Sequence, residues 1–277
     1  MTLLRVIVLD VGWGDAILLE TRDSNDQWHF AVVDSNDTSS NQFTLNFLKR
    51  RLQTLGIDYS GDDYFLDFVL LTHAHADHGQ GLKAIMQTFG TKHFWYSKSS
   101  SWSSSTSLLK FAQNPRQSSI VQHQAIDDGC RLSSFGDVKL DILWPLRTQT
   151  NPEPNENNNS VVMTLTLGGT TVLLSGDAEK EVWQHVASKI PPNTGFVKVP
   201  HHGSENGSLD GANPTWLNDC PANAKLGISC HVGRYGHPHQ SVIDLFTRNH
   251  FQPIRTDTQY HIEFVIDEQG PHIQYHR

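Results

Sequence analysis

The chain is short of cysteine, of excess positive charge and of long apolar runs, and each shortage removes a class of function. Three cysteines, Cys130, Cys220 and Cys230, form no C-x-x-C pair, and an odd number cannot all be bridged internally. A disulfide framework is therefore not expected, and a reducing compartment such as the cytoplasm is. Lys and Arg number 21 against 29 Asp and Glu, a net charge of -8 with no basic cluster. That balance argues against a broad nucleic-acid-binding surface, so a nuclease would need a local groove. No apolar run approaches the ~18 residues needed to span a bilayer, so no membrane partner is expected. The first ten residues, which reach Asp10 without a basic leader or a small-residue cleavage site, read as a first strand. With 37% hydrophobic and 18% charged residues the chain reads as folded throughout, and 277 residues suit one large domain, taken as 1–277.

Histidine is what the chain has in plenty, with sixteen residues, and their placement carries the information. Short β-branched runs at 30–33, 68–72, 171–174, 196–199 and 226–229 are too short for helices and read as strands. They end respectively at Asp34, at His73, at Ser175-Gly176-Asp177, at Pro200-His201-His202-Gly203, and before the segment holding His231 and His237. Ligand groups gather at strand C-termini because side chains there are released from packing, so these five ends predict one shared edge. Helices are predicted over Leu82–Phe89, 178–188 and 241–249 from apolar spacing with Gly or Pro at the borders. The Ser-rich stretch 97–107, with Trp95 and Trp102, reads as a surface loop or a lid carrying aromatics. The Asn157-Asn158-Asn159 run also reads as a loop.

The densest signal is His73-Ala74-His75-Ala76-Asp77-His78. On extended backbone, side chains two apart share a side, so His73 and His75 can grip one ion together. Gly79 and Gly81 then let the chain bend before the next helix, which turns Asp77 and His78 toward a neighbouring ion. Neutral imidazole suits Zn²⁺, with Mn²⁺ as the alternative. Asp177, after Gly176 at a strand exit, is suited to bridge two ions, although an Asp before a helix is also an ordinary N-cap. The His201-His202 pair supplies an imidazole from a fourth strand end.

H-x-H-x-D-H followed by a distant Gly-Asp and a later His resembles the metallo-β-lactamase superfamily. More narrowly, the Leu9-Asp10-Val11-Gly12-Trp13-Gly14-Asp15-Ala16 stretch, the Val197 to Ser204 stretch with its HHGS, Tyr235-Gly236-His237-Pro238 and Arg255-Thr256-Asp257 resemble the hydrolase domain of ComEC-type DNA-uptake proteins. The resemblance implies a four-layer αββα sandwich of α/β class with two divalent ions in a cleft at the sheet edges. It implies His73 and His75 on the first ion, Asp77, His78 and His202 on the second, and Asp177 between them. His202 is preferred over His201 because ligands of that superfamily often precede a small residue and then Ser or Thr. Many members carry a further His before the bridging Asp, where this chain has Asn157-Asn158-Asn159-Ser160, so the first ion is expected to be more open. Trp13 stands where ComEC-like sequences usually have Gln. No membrane channel accompanies the domain, so only its chemistry is carried over.

The chemistry implied is a metal-dependent hydrolase. Two cations about 3.5–4 Å apart lower the pKa of a shared water toward roughly 7 and supply hydroxide at neutral pH. A phosphodiester, as in a phosphodiesterase or nuclease, is the favoured substrate. A carboxyl ester, lactone or thioester, or a non-enzymatic metal-binding subunit of a larger assembly, is the alternative. Asp77 would orient the attacking oxygen and His237 would protonate the leaving group, since imidazole titrates near neutrality. Arg234 or Arg255 would contact phosphate, His201 would support the ligands from behind, and Asp10, Asp15 and Asp34 would orient ligand imidazoles.

Overall fold

A computed structural model of the chain describes residues 2–114 and 116–276. Its strands run β1 (Leu3–Val8), β2 (Ile17–Arg22), β3 (Trp28–Val33), β4 (Leu66–Leu71), β5 (Thr91–Ser97), β6 (Ile120–Ile126), β7 (Lys139–Trp144), β8 (Val162–Leu167), β9 (Thr170–Leu174), β10 (Thr194–Lys198), β11 (Leu209–Asp210), β12 (Asn213–Pro214), β13 (Lys225–Ile228), β14 (Ile254–Arg255), β15 (His261–Asp267) and β16 (Gly270–His276). One sheet has the order β16-β15-β1-β2-β3-β4-β5-β6 and the other β14-β13-β10-β9-β8-β7, while β11 and β12 form a small ribbon. The antiparallel strands β1, β2, β15 and β16 lead into the parallel β3-β4-β5-β6 half of the first sheet. In the second, β9, β10, β13 and β14 are parallel.

Alternation along the strands sorts side chains into three apolar layers. Leu4, Val6, Val8, Ala31, Val33, Phe68 and Leu70 face Val161, Met163, Leu165, Val172, Leu174 and Phe196 across the gap between the sheets. Their in-between neighbours, such as Ile7, Leu18, Val32, Val69 and Leu71, turn outward and are covered by Leu45, Leu48 and Leu52 of the helix Phe43–Leu55 and by Leu82, Ile85, Met86 and Phe89 of the helix Leu82–Phe89. On the far side, Leu173, Val197, Leu226 and Ile228 pack under Val182, Trp183 and Val186 of the helix Lys180–Val186 and Val242, Leu245 and Phe246 of the helix Gln240–Arg248. The result is the αββα sandwich. Both sheets are buried on both faces, which is why their strands read as continuous apolar runs.

Several details differ from the sequence reading. The helix expected over 178–188 begins at Lys180, because the three residues after Gly176 are spent on the turn that carries Asp177. Trp95 is not part of a lid: it lies on β5 inside the inter-sheet core and stacks on Phe68. Trp102 packs edge-on against Tyr96, and the Ser-rich stretch passes into a helix at Thr106–Ala112. The Asn run is not a surface loop but a buried turn of 3-10 helix, Glu156–Asn159. Among the described residues no helix is long and apolar enough to cross a membrane.

Candidate metal centre

The C-terminal ends of β3, β4, β9, β10 and β13 meet at one edge of the sandwich, and the polar residues beyond them interlock. After β4 the chain bends through the buried Thr72, His73 and Ala74, and the one-turn helix Ala76–Gly79 follows. His73 Nε2 and His75 Nδ1 lie 3.0 Å apart, brought together by a bend at His73 and Ala74 rather than by the extended backbone the sequence suggests. The backbone N–H of Ala74 between them donates to the buried carboxylate of Glu156, so the Asn-rich turn anchors the histidine segment. Gly14 lets the β1–β2 loop pack directly on this helix: a Cβ there would lie 2.4 Å from the Asp77 carbonyl, and its φ is +85°.

Each inner imidazole has its ring fixed by a neighbour on Nδ1. The Thr72 hydroxyl donates to Asp34 Oδ2 at 2.6 Å, so it accepts from His73 Nδ1 at 3.1 Å. His78 Nδ1 donates to Asp34 Oδ2 at 2.7 Å, and His202 Nδ1 donates to the Ser229 carbonyl at 3.0 Å. All three therefore present Nε2 to the interior of the site, the arrangement in which an imidazole is a good metal ligand. The His202 geometry depends on backbone that L-residues rarely adopt. His201, His202 and Gly203 have φ of 46°, 53° and 78°, and such strain, on the order of 1–3 kcal/mol per non-glycine residue, persists where surrounding structure enforces it.

Asp177 sits at the centre. Its Oδ2 lies 3.3 Å from His78 Nε2, 3.4 Å from His202 Nε2 and 4.0 Å from His201 Nε2. Its backbone N–H is held by the Ser160 hydroxyl, and Gly176 exits β9 at φ +52° with Ser160 close enough to exclude a Cβ. The N-cap position of the following helix falls on Glu179, not Asp177, so the carboxylate of Asp177 is free for the site. Ligand atoms of His73, His78 and Asp177 lie within 4.8 Å of one another, as do those of Asp77, His78 and His202. His78 Nε2, His202 Nε2, Asp177 Oδ1 and Asp15 Oδ1 are buried and have no hydrogen-bond partner. Buried polar atoms are normally paired, and an unpaired cluster made only of imidazole nitrogens and carboxylate oxygens fits divalent cations.

The charges of this metal-free cluster are strongly interdependent. Burial penalises the charge on Asp177, but the His202, His78 and His201 imidazoles outweigh it and hold its carboxyl well below the ordinary range. Burial also opposes charge on His78, yet Asp177 and Asp34 raise it well above the ordinary imidazole value; His202 is raised likewise against burial by Asp177 and Asp15. His73 goes the other way, driven well down by burial and by His78. Burial pushes Asp34 up despite His78.

A pH dependence follows. Groups raised in the fold, His78 and His202, stabilise the metal-free protein fully below about 6.5, and that contribution is lost as pH rises through their raised values. The metal-free protein is expected to lose melting temperature as pH rises above about 6.5, and loading with Zn²⁺ is expected to remove that loss. Loading at pH 7 should also release on the order of one to two protons. Calorimetry in two buffers of different ionisation enthalpy measures the release. Binding with no proton release would show that these two imidazoles are not ligands.

Other residues singled out by the sequence are placed differently from one another. His201 belongs to none of the tight ligand groups; its Nδ1 is 3.0 Å from Glu179 Oε1 and its ring stands at the pocket wall. His237 lies 5.4 Å from His201 ring to ring, and burial with His201 and His202 pushes it down to about 4. At neutral pH it is thus an uncharged imidazole rather than the resident acid that the sequence suggests. Asp15 is buried against His202 at 3.5 Å, whereas Asp10 touches no ligand: its carboxylate accepts the Gly12 N–H in the β1–β2 loop. Arg255 is not at the pocket; its guanidinium makes two bonds to Asp257, at 3.0 and 2.6 Å. Arg234 falls in the helix Val232–Tyr235, and its side chain lies outside the described residues. The three cysteines are free, and burial pushes the Cys220 and Cys230 thiols up to about 12, which removes them as nucleophiles.

The cluster forms the floor of a pocket of about 540 Å³ whose walls include His75, Asp77, Ser104, Asn157, His201 and His237, with Trp13 and Tyr235 edge to face at 6.2 Å. Sequence reasoning missed Glu156, Asn157, Glu179 and the buried Lys198. Asn157 Nδ2 donates to Glu179 Oε1 at 2.8 Å and reaches His201 at 3.5 Å, so it stands on the wall where a further His was expected to be lacking. The only signal for these four was their adjacency to the motifs.

Comparison with known proteins agrees with this geometry. A family model for the metallo-beta-lactamase superfamily matches residues 66–212. The ComE operon protein 3 of Bacillus subtilis (strain 168) is 27% identical over 205 residues, 72% of this chain and 24% of that protein, so the chain spans about a quarter of that relative's length. Among solved structures, the metallo-beta-lactamase fold protein YhfI from Bacillus subtilis has a TM-score of 0.54 at 13% identity, covering 99% of this chain and 100% of that one, a likeness of fold.

Proposed function

The chain belongs to the metallo-β-lactamase superfamily, and on that premise we propose that it is a dinuclear metal-dependent hydrolase of phosphodiesters, of compact ones in preference to long nucleic acids. The observation that carries this reading is the distribution of polarity in the pocket. Among its lining residues His75, Asp77, Asn157, Asp177, His201, His202 and His237 carry polar or ionisable groups, and Trp13 and Tyr235 are the large aromatic ones. A phosphoryl group presents charged oxygens in several directions and needs polar partners all round, whereas an acyl substrate gains most from an apolar wall beside the ester. Among the described side chains no Lys or Arg lines the pocket, and the chain carries -8 overall, so a polynucleotide would find no cationic track.

His73, His75, Asp77, His78, Asp177 and His202 would hold two divalent ions, Zn²⁺ in the first instance or Mn²⁺, which when bound supply Lewis-acid activation of water and charge neutralisation. Asp77, at the pocket wall, accepts a hydrogen bond from the attacking water and sets its direction. His201 and His237 offer imidazole N–H groups to the phosphoryl oxygens; His237, uncharged at pH 7, donates a hydrogen bond to the leaving oxygen. Trp13 and Tyr235, edge to face in the lining, offer the apolar surface that limits water beside the substrate.

The test is a substrate panel with metal-loaded protein: bis-p-nitrophenyl phosphate, a dinucleotide, long single-stranded DNA and p-nitrophenyl acetate. Diester hydrolysis that disappears on chelation is expected, with kcat/KM for the dinucleotide above that for DNA. Turnover of the acyl ester alone would establish the carboxyl-ester, lactone or thioester alternative. Full metal occupancy with no turnover of either class would leave a metal-binding subunit of a larger assembly.

A further inference from the structure

Lys198 closes β10 and is 1% exposed, one of the largest fully buried side chains of the protein. Its ammonium forms a close ion pair with Asp15, lies 3.8 Å from Asp177 Oδ1 and 3.3 Å from the Gly176 carbonyl. It does not line the pocket, so it cannot touch substrate. Asp15 is the other half of the arrangement. One of its oxygens is taken by Lys198, while Oδ1 is buried, unpaired and 3.5 Å from His202 Nδ1. Ligand atoms of Asp15, Asp177 and His202 lie within 4.8 Å of one another, a carboxylate–carboxylate–imidazole set able to hold a cation by itself.

We propose that Lys198 is a positioning residue of the metal centre: its fixed charge keeps Asp15 out of ion coordination and leaves Asp177 Oδ2 directed at His78 and His202. The inference rests on the dinuclear reading above. Two physical consequences support it. A buried carboxylate is drawn to the nearest cation, and the Lys198 ammonium, paired with Asp15 and 3.8 Å from Asp177 Oδ1, supplies that cation to Asp15. The charge of the closed site also depends on it. Four carboxylates, Asp15, Asp34, Asp77 and Asp177, against two dications and one ammonium leave one positive charge in surplus, which attracts an anionic substrate or nucleophile; without Lys198 the surplus is zero.

Lys198→Met keeps the aliphatic stem and removes the charge. Three readouts separate a positioning role from a structural one: metal affinity by chelator competition, the electron paramagnetic resonance spectrum of the Mn²⁺-loaded protein, and melting temperature. The variant is expected to bind ions about tenfold or more tighter and to change the Mn²⁺ spectrum, because Asp15 becomes a ligand. Asp15→Asn added in the same chain is expected to restore the wild-type spectrum. Wild-type affinity and spectrum with only a lower melting temperature would overturn the proposal. Should Lys198→Met not fold, Asp15→Asn alone decides: the freed ammonium is expected to weaken ion binding about tenfold, and unchanged affinity would overturn it. Failure of the wild-type protein itself to bind two ions would instead remove the dinuclear reading.

Discussion

Asp177→Asn protein loaded with Zn²⁺ or Mn²⁺ is expected to hydrolyse bis-p-nitrophenyl phosphate at least about a thousandfold more slowly, a loss of about 4 kcal/mol in transition-state stabilisation. The carboxylate lies within 3.3–3.4 Å of both His78 Nε2 and His202 Nε2 and belongs to two of the ligand groups. An amide keeps its shape but loses the charge that, on the dinuclear reading, would bind two cations at once, so metal content should fall from two ions toward one. The same substitution removes the anion that raises His78 and His202, so the metal-free variant should lose much of the fall in stability expected of the parent above about pH 6.5. Elemental analysis and steady-state kinetics on one preparation check both effects. Activity within tenfold of the parent would mean that Asp177 does not hold the reacting centre.

The second large effect is expected at Asp34, which touches no pocket. Its carboxylate accepts from Thr72 N–H at 2.8 Å, Thr72 hydroxyl at 2.6 Å and His78 Nδ1 at 2.7 Å, and through them fixes the rings of His73 and His78. Asp34→Ala leaves a buried, positively inclined His78 and an N–H without partners, which costs about 3–5 kcal/mol. Alanine at φ 58° adds about 1–2 kcal/mol, a strain that Asn tolerates. Metal affinity should fall about 10–100-fold in either variant, since both lose the anion behind His78. Urea denaturation of Asp34→Ala and Asp34→Asn separates strain from lost hydrogen bonds, and chelator competition reads the affinity. Equal metal affinity in parent and Asp34→Asn would show that the charge of Asp34 does not support His78 as a ligand.

The contrast between Asp34 and Asp10 shows how far the sequence reaches. Both end an apolar strand and both read as supports for ligand imidazoles, yet Asp34 grips His78 whereas Asp10 turns back to the Gly12 N–H. Nothing within ten residues of either distinguishes them; the difference is which other strand end arrives alongside. Arg255 makes the same point. As a phosphate contact it was plausible by type, but Asp257, two residues on, already occupies its guanidinium in bidentate fashion. His237 carried the expectation of a group titrating near neutrality, and burial against two other imidazoles moved it to about 4.

The sequence by itself determined the strands and brought forward the candidate ligands. Short uninterrupted β-branched runs specify strands buried on both faces, and His73-x-His75-x-Asp77-His78 places four candidate ligands within six residues, where local backbone geometry brings them close. Only the tertiary structure decided what surrounds those ligands. The Ser229 hydroxyl holds the Gly14 carbonyl 215 residues away, Glu156 holds Ala74 across 82, and Lys198 meets Asp15 at the junction of two sheets. Such pairings depend on how far each strand extends before it turns, a property of packing between the sheets rather than of any short stretch of chain. A buried ammonium beside a cluster of ligand carboxylates is stable only once that packing has excluded water, and so it leaves no pattern in the sequence to be read.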